Sequence, residues 1–289
     1  MPVSIPLTRF QGLDALELRA PDGACATLLL HGAQVVSWRP AGADEQLYLS
    51  PQSAYATGQA VRGGVPVCFP QFGSRGNLTK HGFARTKPWQ LVQAEVGQDD
   101  ALAVLKLMDD AATRMVWPHT FEAELSVRVA GTVLELELAC ENHGDAPFEF
   151  SAALHTYLRL THSMSAALQG LDGLAYWDAA AKRSGTQGDE PLGLDGELDR
   201  IYQGVGERHA QTEGRRLMLS DGARRLQISQ QGFEDAVVWN PGETLCQQME
   251  DLPDSAWREF LCVEAAQVLR PAQLAPGQTW VGLQRLELA

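Results

Sequence analysis

The sequence contains no run of apolar residues approaching the roughly 18 that a membrane-crossing helix needs, so no membrane partner is expected. Its first residues, MPVSIPLTRFQG, lack the basic-then-apolar order of a secretory leader. Cysteine is sparse. Cys25, Cys68, Cys140, Cys246 and Cys262 are odd in number, widely spaced and form no CxxC. That pattern excludes a disulfide framework and a zinc ribbon and fits free thiols in a reducing compartment, so a cytoplasmic protein is expected. Positive charge is short as well: 23 Lys and Arg against 36 Asp and Glu leave a net charge of −13. A nucleic-acid binder would carry a basic face, so no nucleic-acid partner is expected either. Also missing are any long amphipathic helical pattern, any βαβ alternation and any exact internal repeat.

What is present reads as short strands. Phe121–Val129 alternates Leu125, Val127 and Val129 with Glu124, Ser126 and Arg128, and Val133–Cys140 alternates Leu134, Leu136 and Leu138 with Glu135 and Glu137. Gly131-Thr132 between them predicts a tight hairpin with one wet and one packed face. Further strands are predicted at Leu16–Arg19, in two pieces over Ala24–Trp38, at Leu47–Ser50, Leu102–Met108, Glu149–Leu160, Ala166–Leu171, Leu198–Tyr202, Arg216–Ser220, Arg225–Gln230, Ala236–Asn240, Phe260–Ala265 and Trp280–Leu288. Thr186–Glu197 reads as loop, and Gln247–Trp257 as an acidic connection with room for one helical turn. About fourteen strands with turn signals between them imply an all-β fold, a large antiparallel β-sandwich in one domain over 1–289.

The most unusual stretch is Ala60–Trp89, AVRGGVPVCFPQFGSRGNLTKHGFARTKPW. Glycine and proline break it too often for a helix. Val61, Val65, Val67, Phe69, Phe72 and Phe83 make it too apolar for a solvated tail. It reads as a long ordered loop system lining a cleft, the kind of loop that carries function. In an acidic protein, its cations Arg62, Arg75, Lys80, His81, Arg85 and Lys87 mark either a local anion site, for which the planar Arg fork suits phosphate, or pairing with surface carboxylates.

Two further stretches project polar groups from apolar strands. In EFSAALHTYLRL, Leu154, Thr156, Leu158 and Leu160 share the core face, which turns His155 and Tyr157 the other way. In FLCVEA, Leu261, Val263 and Ala265 share one face and Phe260, Cys262 and Glu264 the other. A carboxylate inside such a strand is costly without a partner, so Glu264 is either neutralised by a nearby Arg or faces a site. His31 and His143 read as turn residues and Trp239 as core.

RGGVPVCFPQFG followed by HGFAR and PW, then LHTY, CVEA and APGQTW in that order, resembles the aldose 1-epimerase (mutarotase) family, in its hexose-6-phosphate branch. The resemblance covers most of the chain and implies the same sandwich, with a site on a concave face. It implies interconversion of the α and β anomers of a hexose 6-phosphate, with glucose 6-phosphate foremost. Glu264 is then the general base for the anomeric hydroxyl and His155 the general acid for the ring oxygen. Arg62 and Arg85 hold the phosphate, His81 assists or binds a hydroxyl, Gln71 reaches a hydroxyl, and Asp199, in a segment similar to an acidic family motif, contacts the sugar. No metal and no organic cofactor are implied, and a monomer with a small sugar phosphate as its one partner is expected. Where family members continue VWNPW, this chain has Gly242 after Pro241, which removes an aromatic from that corner. Arg75, Lys80 and Lys87 read as solvated.

Three other functions stay open at this level. A non-catalytic carbohydrate-binding module would not need His155 and Glu264. A glycoside hydrolase needs two carboxylates across one bond. A mutarotase for unphosphorylated sugar would not need the Arg pair. Fold alone separates none of them.

Overall fold

The computed structural model describes residues 3–161, 165–206 and 215–289. The alternating segments fold as their periodicity requires. Phe121–Ala130 and Val133–Asn142 form a hairpin with Ala130 opposite Val133. Ala123, Leu125, Val127 and Val129 are buried, as are Leu134, Leu136 and Leu138. This hairpin sits inside a ten-stranded sheet. Its order is Val3–Ser4, Gln90–Val96, Ala101–Met108, Phe121–Ala130, Val133–Asn142, Thr279–Leu288, Arg224–Gln231, Leu217–Asp221, Ala167–Gln169 and Leu192–Gly193. A second sheet runs Arg183–Thr186, Ala175–Asp178, Leu198–Tyr202, Asp235–Asn240, Phe260–Leu274, Phe148–Leu154 and Val67–Cys68, and Tyr157–Arg159 also pairs with Phe260–Leu274. Four strands, Leu7–Phe10, Leu13–Arg19, Cys25–Leu29 and Gln34–Arg39, make a third sheet. The ladders are antiparallel, and one apolar core draws on all three sheets through residues such as Leu16, Leu125 and Val263. The molecule is an antiparallel β-sandwich.

Some elements differ from the sequence reading. Ala111–Val116 is a short helix, held at its start by Asp110, whose side chain accepts from the Thr113 N–H at 2.7 Å while the Thr113 hydroxyl accepts from the Asp110 N–H at 2.8 Å. A second short helix, Gly242–Cys246, precedes the acidic connection, and a 3₁₀ turn at Ala256–Arg258 falls within and just beyond its end. Both helices are shorter than the two turns over which a 3.6-residue pattern becomes visible. The predicted loop Thr186–Glu197 contains a short strand, Leu192–Gly193. Gly242 has φ +62°, and a Cβ there would strike the Glu197 backbone, so the corner where the family carries an aromatic is closed here by main chain.

The predicted strand over 149–160 has a register shift between Phe150 and Ala152 and is interrupted at His155-Thr156, but from Ala152 to Arg159 it keeps one register against Phe260–Leu274. Leu154 lies opposite Ala265 and Tyr157 opposite Cys262. Counting between those pairs places His155 directly across from Glu264, and Val237 lies across from Glu264 on the other side. The neighbouring row on the same face reads Asp199, Trp239, Cys262, Tyr157. Four strands thus deliver one face by register alone.

Candidate active site

That face forms the floor of a cleft partly open to solvent. Asp199, Val237, Trp239, His155 and Glu264 rise from the strands, and Arg62, Phe72, Gly73, Lys80 and His81 come from the long loop. Met249 closes one side.

His155 Nε2 and Glu264 Oε1 are 3.4 Å apart. The Glu264 side chain is 1% exposed, and neither of its oxygens, nor His155 Nδ1, has a hydrogen-bond partner among the described residues. Unpaired buried polar atoms of this kind are rare in a structural role. Burial lifts Glu264 well above the usual carboxyl range, and the neighbouring Asp199 adds to the rise. Burial presses His155 well below 6.5, with help from His81, Arg62 and Arg85. Both shifts disfavour the charged forms, and the two facing atoms are close enough to pass one proton between them. His155 stacks on Tyr157 with ring centroids 4.8 Å apart, and Trp239 meets it edge-on at 5.8 Å. The imidazole is thus fixed in orientation by rings on two sides.

Arg62 is held from behind. Its Nε and Nη2 meet Asp251 Oδ2 at 2.9 and 2.8 Å, and its Nη1 donates to the Tyr157 hydroxyl at 2.9 Å. His81 accepts at Nδ1 from the Gly73 N–H at 3.3 Å, and Cys68 Sγ is 3.2 Å from the same nitrogen. With Nδ1 accepting, the ring proton sits on Nε2. Burial, with Arg85, Lys80 and Arg62 adding, pushes His81 down to about 3, so it is neutral. Asp199 is raised by burial, while Lys80 and Arg75 pull it down.

Of the residues singled out from sequence, the cleft brings together Arg62, His81, His155, Asp199 and Glu264. Arg85 and Gln71 do not line it. Arg85 donates from Nη2 to the Lys80 carbonyl at 2.9 Å and contributes to the cleft only through its field. The Gln71 side chain is spent on the backbone of its own loop. Lys80 is exposed, as expected, but lines the mouth and makes no ion pair among the described residues. Trp239 is a cleft wall as well as a packing residue. Asp251 was invisible in sequence, since nothing in an acidic connection marks the carboxylate that pairs with an Arg 189 positions earlier. His31, buried against the Gln59 carbonyl, and exposed His143 lie elsewhere, and Lys87 pairs with Asp110. Among the described residues no cluster of three His, Cys, Asp or Glu has metal-binding geometry.

This sandwich has close structural counterparts. The fold matches that of a candidate mutarotase from Salmonella typhimurium with a TM-score of 0.88 and 28% identity, covering 99% of this chain and 94% of that one. The molecule is therefore of the mutarotase-like β-sandwich class, an isomerase whose substrate is a small sugar. Residues 14–287 match the aldose 1-epimerase family, and the chain belongs to it. Candidate glucose-6-phosphate 1-epimerases from Cenchrus ciliaris and Escherichia coli K12 are 32% and 33% identical, over 94% and 90% of this chain and 83% and 86% of their own lengths.

Proposed function

We propose that the protein interconverts the α and β anomers of a hexose 6-phosphate, with glucose 6-phosphate as the leading substrate. The observation that carries this reading is the buried, otherwise unpartnered His155–Glu264 pair beneath a cleft mouth that carries Arg62 and Lys80.

The pair enters the reaction as carboxylate and imidazolium, the form in which its single proton rests on His155. Glu264 takes the proton from the anomeric O1 hydroxyl. His155 gives its proton to the ring oxygen O5, and the C1–O5 bond breaks to leave the aldehyde. Rotation about C1–C2 presents the other face of the carbonyl. O5 then attacks C1, returns its proton to His155, and O1 regains one from Glu264. Each transfer contributes on the order of 10²–10⁴-fold. The pair ends as it began, so neither a cofactor nor a net proton is required.

Arg62, already oriented by Asp251 and Tyr157, and Lys80, which makes no ion pair among the described residues, bind the dianionic phosphate at the mouth. Anchoring the far end of the sugar fixes C1 over the pair. Local cations matter because the net charge of −13 repels a phosphate ester at long range. Asp199 and the His81 Nε2–H bind sugar hydroxyls. The names of the two curated relatives support the phosphorylated substrate. Five buried free thiols fit a reducing cytoplasm, where a single-domain monomer suffices for this chemistry. The test is saturation transfer between the α and β C1–H signals of glucose 6-phosphate. Exchange should rise in proportion to added protein, and a rate equal to that of buffer overturns the proposal.

A further inference from the structure

Gln71 is 4% exposed and carries no contact to the cleft, yet each polar atom of its side chain is engaged. Its Nε2 donates to the Gly73 and Leu78 carbonyls, both at 3.1 Å, and its Oε1 accepts from the Leu78 N–H at 2.9 Å. These bonds tie together the two ends of an exposed loop through Ser74, Arg75, Gly76 and Asn77. Gly76 packs so closely that a Cβ there would land on Gln71 Oε1. The loop itself leads to the cleft. The Gly73 carbonyl that Gln71 holds also accepts from the His81 N–H at 2.9 Å, and the Gly73 N–H donates to His81 Nδ1 at 3.3 Å. His81 has φ +67°, a conformation that a side-chain-bearing residue keeps only when its surroundings enforce it. Its ring lies 5.4 Å from that of His155.

We propose that Gln71 is a positioning residue for the sugar reaction. Its buried amide holds Gly73 so that the Gly73 N–H fixes His81 in the Nε2–H tautomer, and this presents a hydrogen-bond donor to the sugar beside His155. The inference rests on the mutarotase reading of the cleft for its kinetic consequence, but not for its structural one. An Asn or Gln in a glycine-rich loop reads from sequence as a hydroxyl ligand. Here burial and three backbone bonds give it a different task, acting on the substrate only through His81.

The test combines Gln71→Ala, Gly76→Ala and His81→Ala with the double variant Gln71→Ala/His81→Ala. Gly76→Ala loosens the same clamp by pushing the Gln71 amide aside while every cleft residue is retained, and it stands in if Gln71→Ala fails to fold. Each single variant should lower kcat/KM for glucose 6-phosphate by about 10- to 100-fold, the cost of a misplaced group of this kind. In the His81→Ala background, Gln71→Ala should remove less than a further twofold, about the scatter within which independent effects add. Losses that multiply in the double variant would overturn the proposal, because they place Gln71 directly on the sugar. The second readout is the imidazole ¹⁵N spectrum of His81 in the free protein. Wild type should show a protonated Nε2 and a bare Nδ1, and Gln71→Ala should move both signals toward tautomer averaging. Unchanged signals overturn the proposal even if activity falls. If wild type proves inactive on hexose phosphates, the mutarotase reading fails while the ¹⁵N arm still decides the role of Gln71.

Discussion

Replacing Glu264 with Gln separates the cost of the site from its use. The side chain keeps its shape, loses its charge and can no longer take a proton. If Glu264 is the base, mutarotation should fall by about 10²–10⁴-fold. Stability should move the other way, with a pH dependence fixed by linkage. Burial raises the folded-state pKa of Glu264 above its unfolded value of 4.5. A raised carboxyl contributes its full stability below 4.5 and loses it as pH climbs toward the folded value. Wild type therefore loses about 1.4 kcal/mol per pH unit above 4.5, until Glu264 itself ionises, and the Gln variant does not. His155 shifts in the opposite sense, down from 6.5, so its contribution is lost as pH falls below 6.5. In wild type these two slopes cancel between pH 4.5 and 6.5, which leaves the loss from His81 as pH falls there, and above 6.5 the Glu264 loss stands alone. Denaturation at pH 5, 6, 7 and 8 should show Glu264→Gln gaining on wild type from pH 5 upward until the Glu264 carboxyl ionises, about 2 °C in Tm per kcal/mol for a chain of this length. Parallel stability curves for the two proteins would refute the buried, unpaired carboxyl. Activity within tenfold of wild type would refute its role as base.

Two other outcomes follow from the cleft. Lys80→Met should raise KM for glucose 6-phosphate by about tenfold, the worth of one charged hydrogen bond, while KM for free glucose stays put; equal effects on both sugars would remove Lys80 from the phosphate site. His81 is pushed down to about 3, so wild type should lose about 1.4 kcal/mol per pH unit on its account as pH falls from 6.5 toward 3, and His81→Gln should flatten that part of the denaturation profile; an unchanged slope would show that the ring is not buried neutral.

The sheets were legible because their strands have one wet face: Phe121–Ala130 and Val133–Asn142 betray both type and orientation through period-2 alternation. The same rule turned His155 and Glu264 off the leucine faces of their strands. What alternation cannot supply is register between strands, and register is what sets these two groups 3.4 Å apart. The loop from Ala60 to Trp89 announced itself by composition, but not which of its cations face inward. Lys80 lines the cleft and Arg85 does not, its guanidinium turning back to the Lys80 carbonyl, and the main chain between them passes through His81-Gly82, both at positive φ. Asp251 left no trace, since an ion pair across 189 residues has no local signature. The short helices escaped for want of length, and Asp110 capping Ala111–Val116 is visible only once the backbone bonds are seen.

The claim that this family member works on a phosphorylated hexose is tested most directly by comparing anomer exchange of glucose 6-phosphate and of glucose at equal concentration and pH. The account predicts much faster protein-dependent exchange for the phosphate ester, with the advantage shrinking at high salt as Arg62 and Lys80 are screened. Equal acceleration of the two sugars, or faster exchange of free glucose, would contradict it.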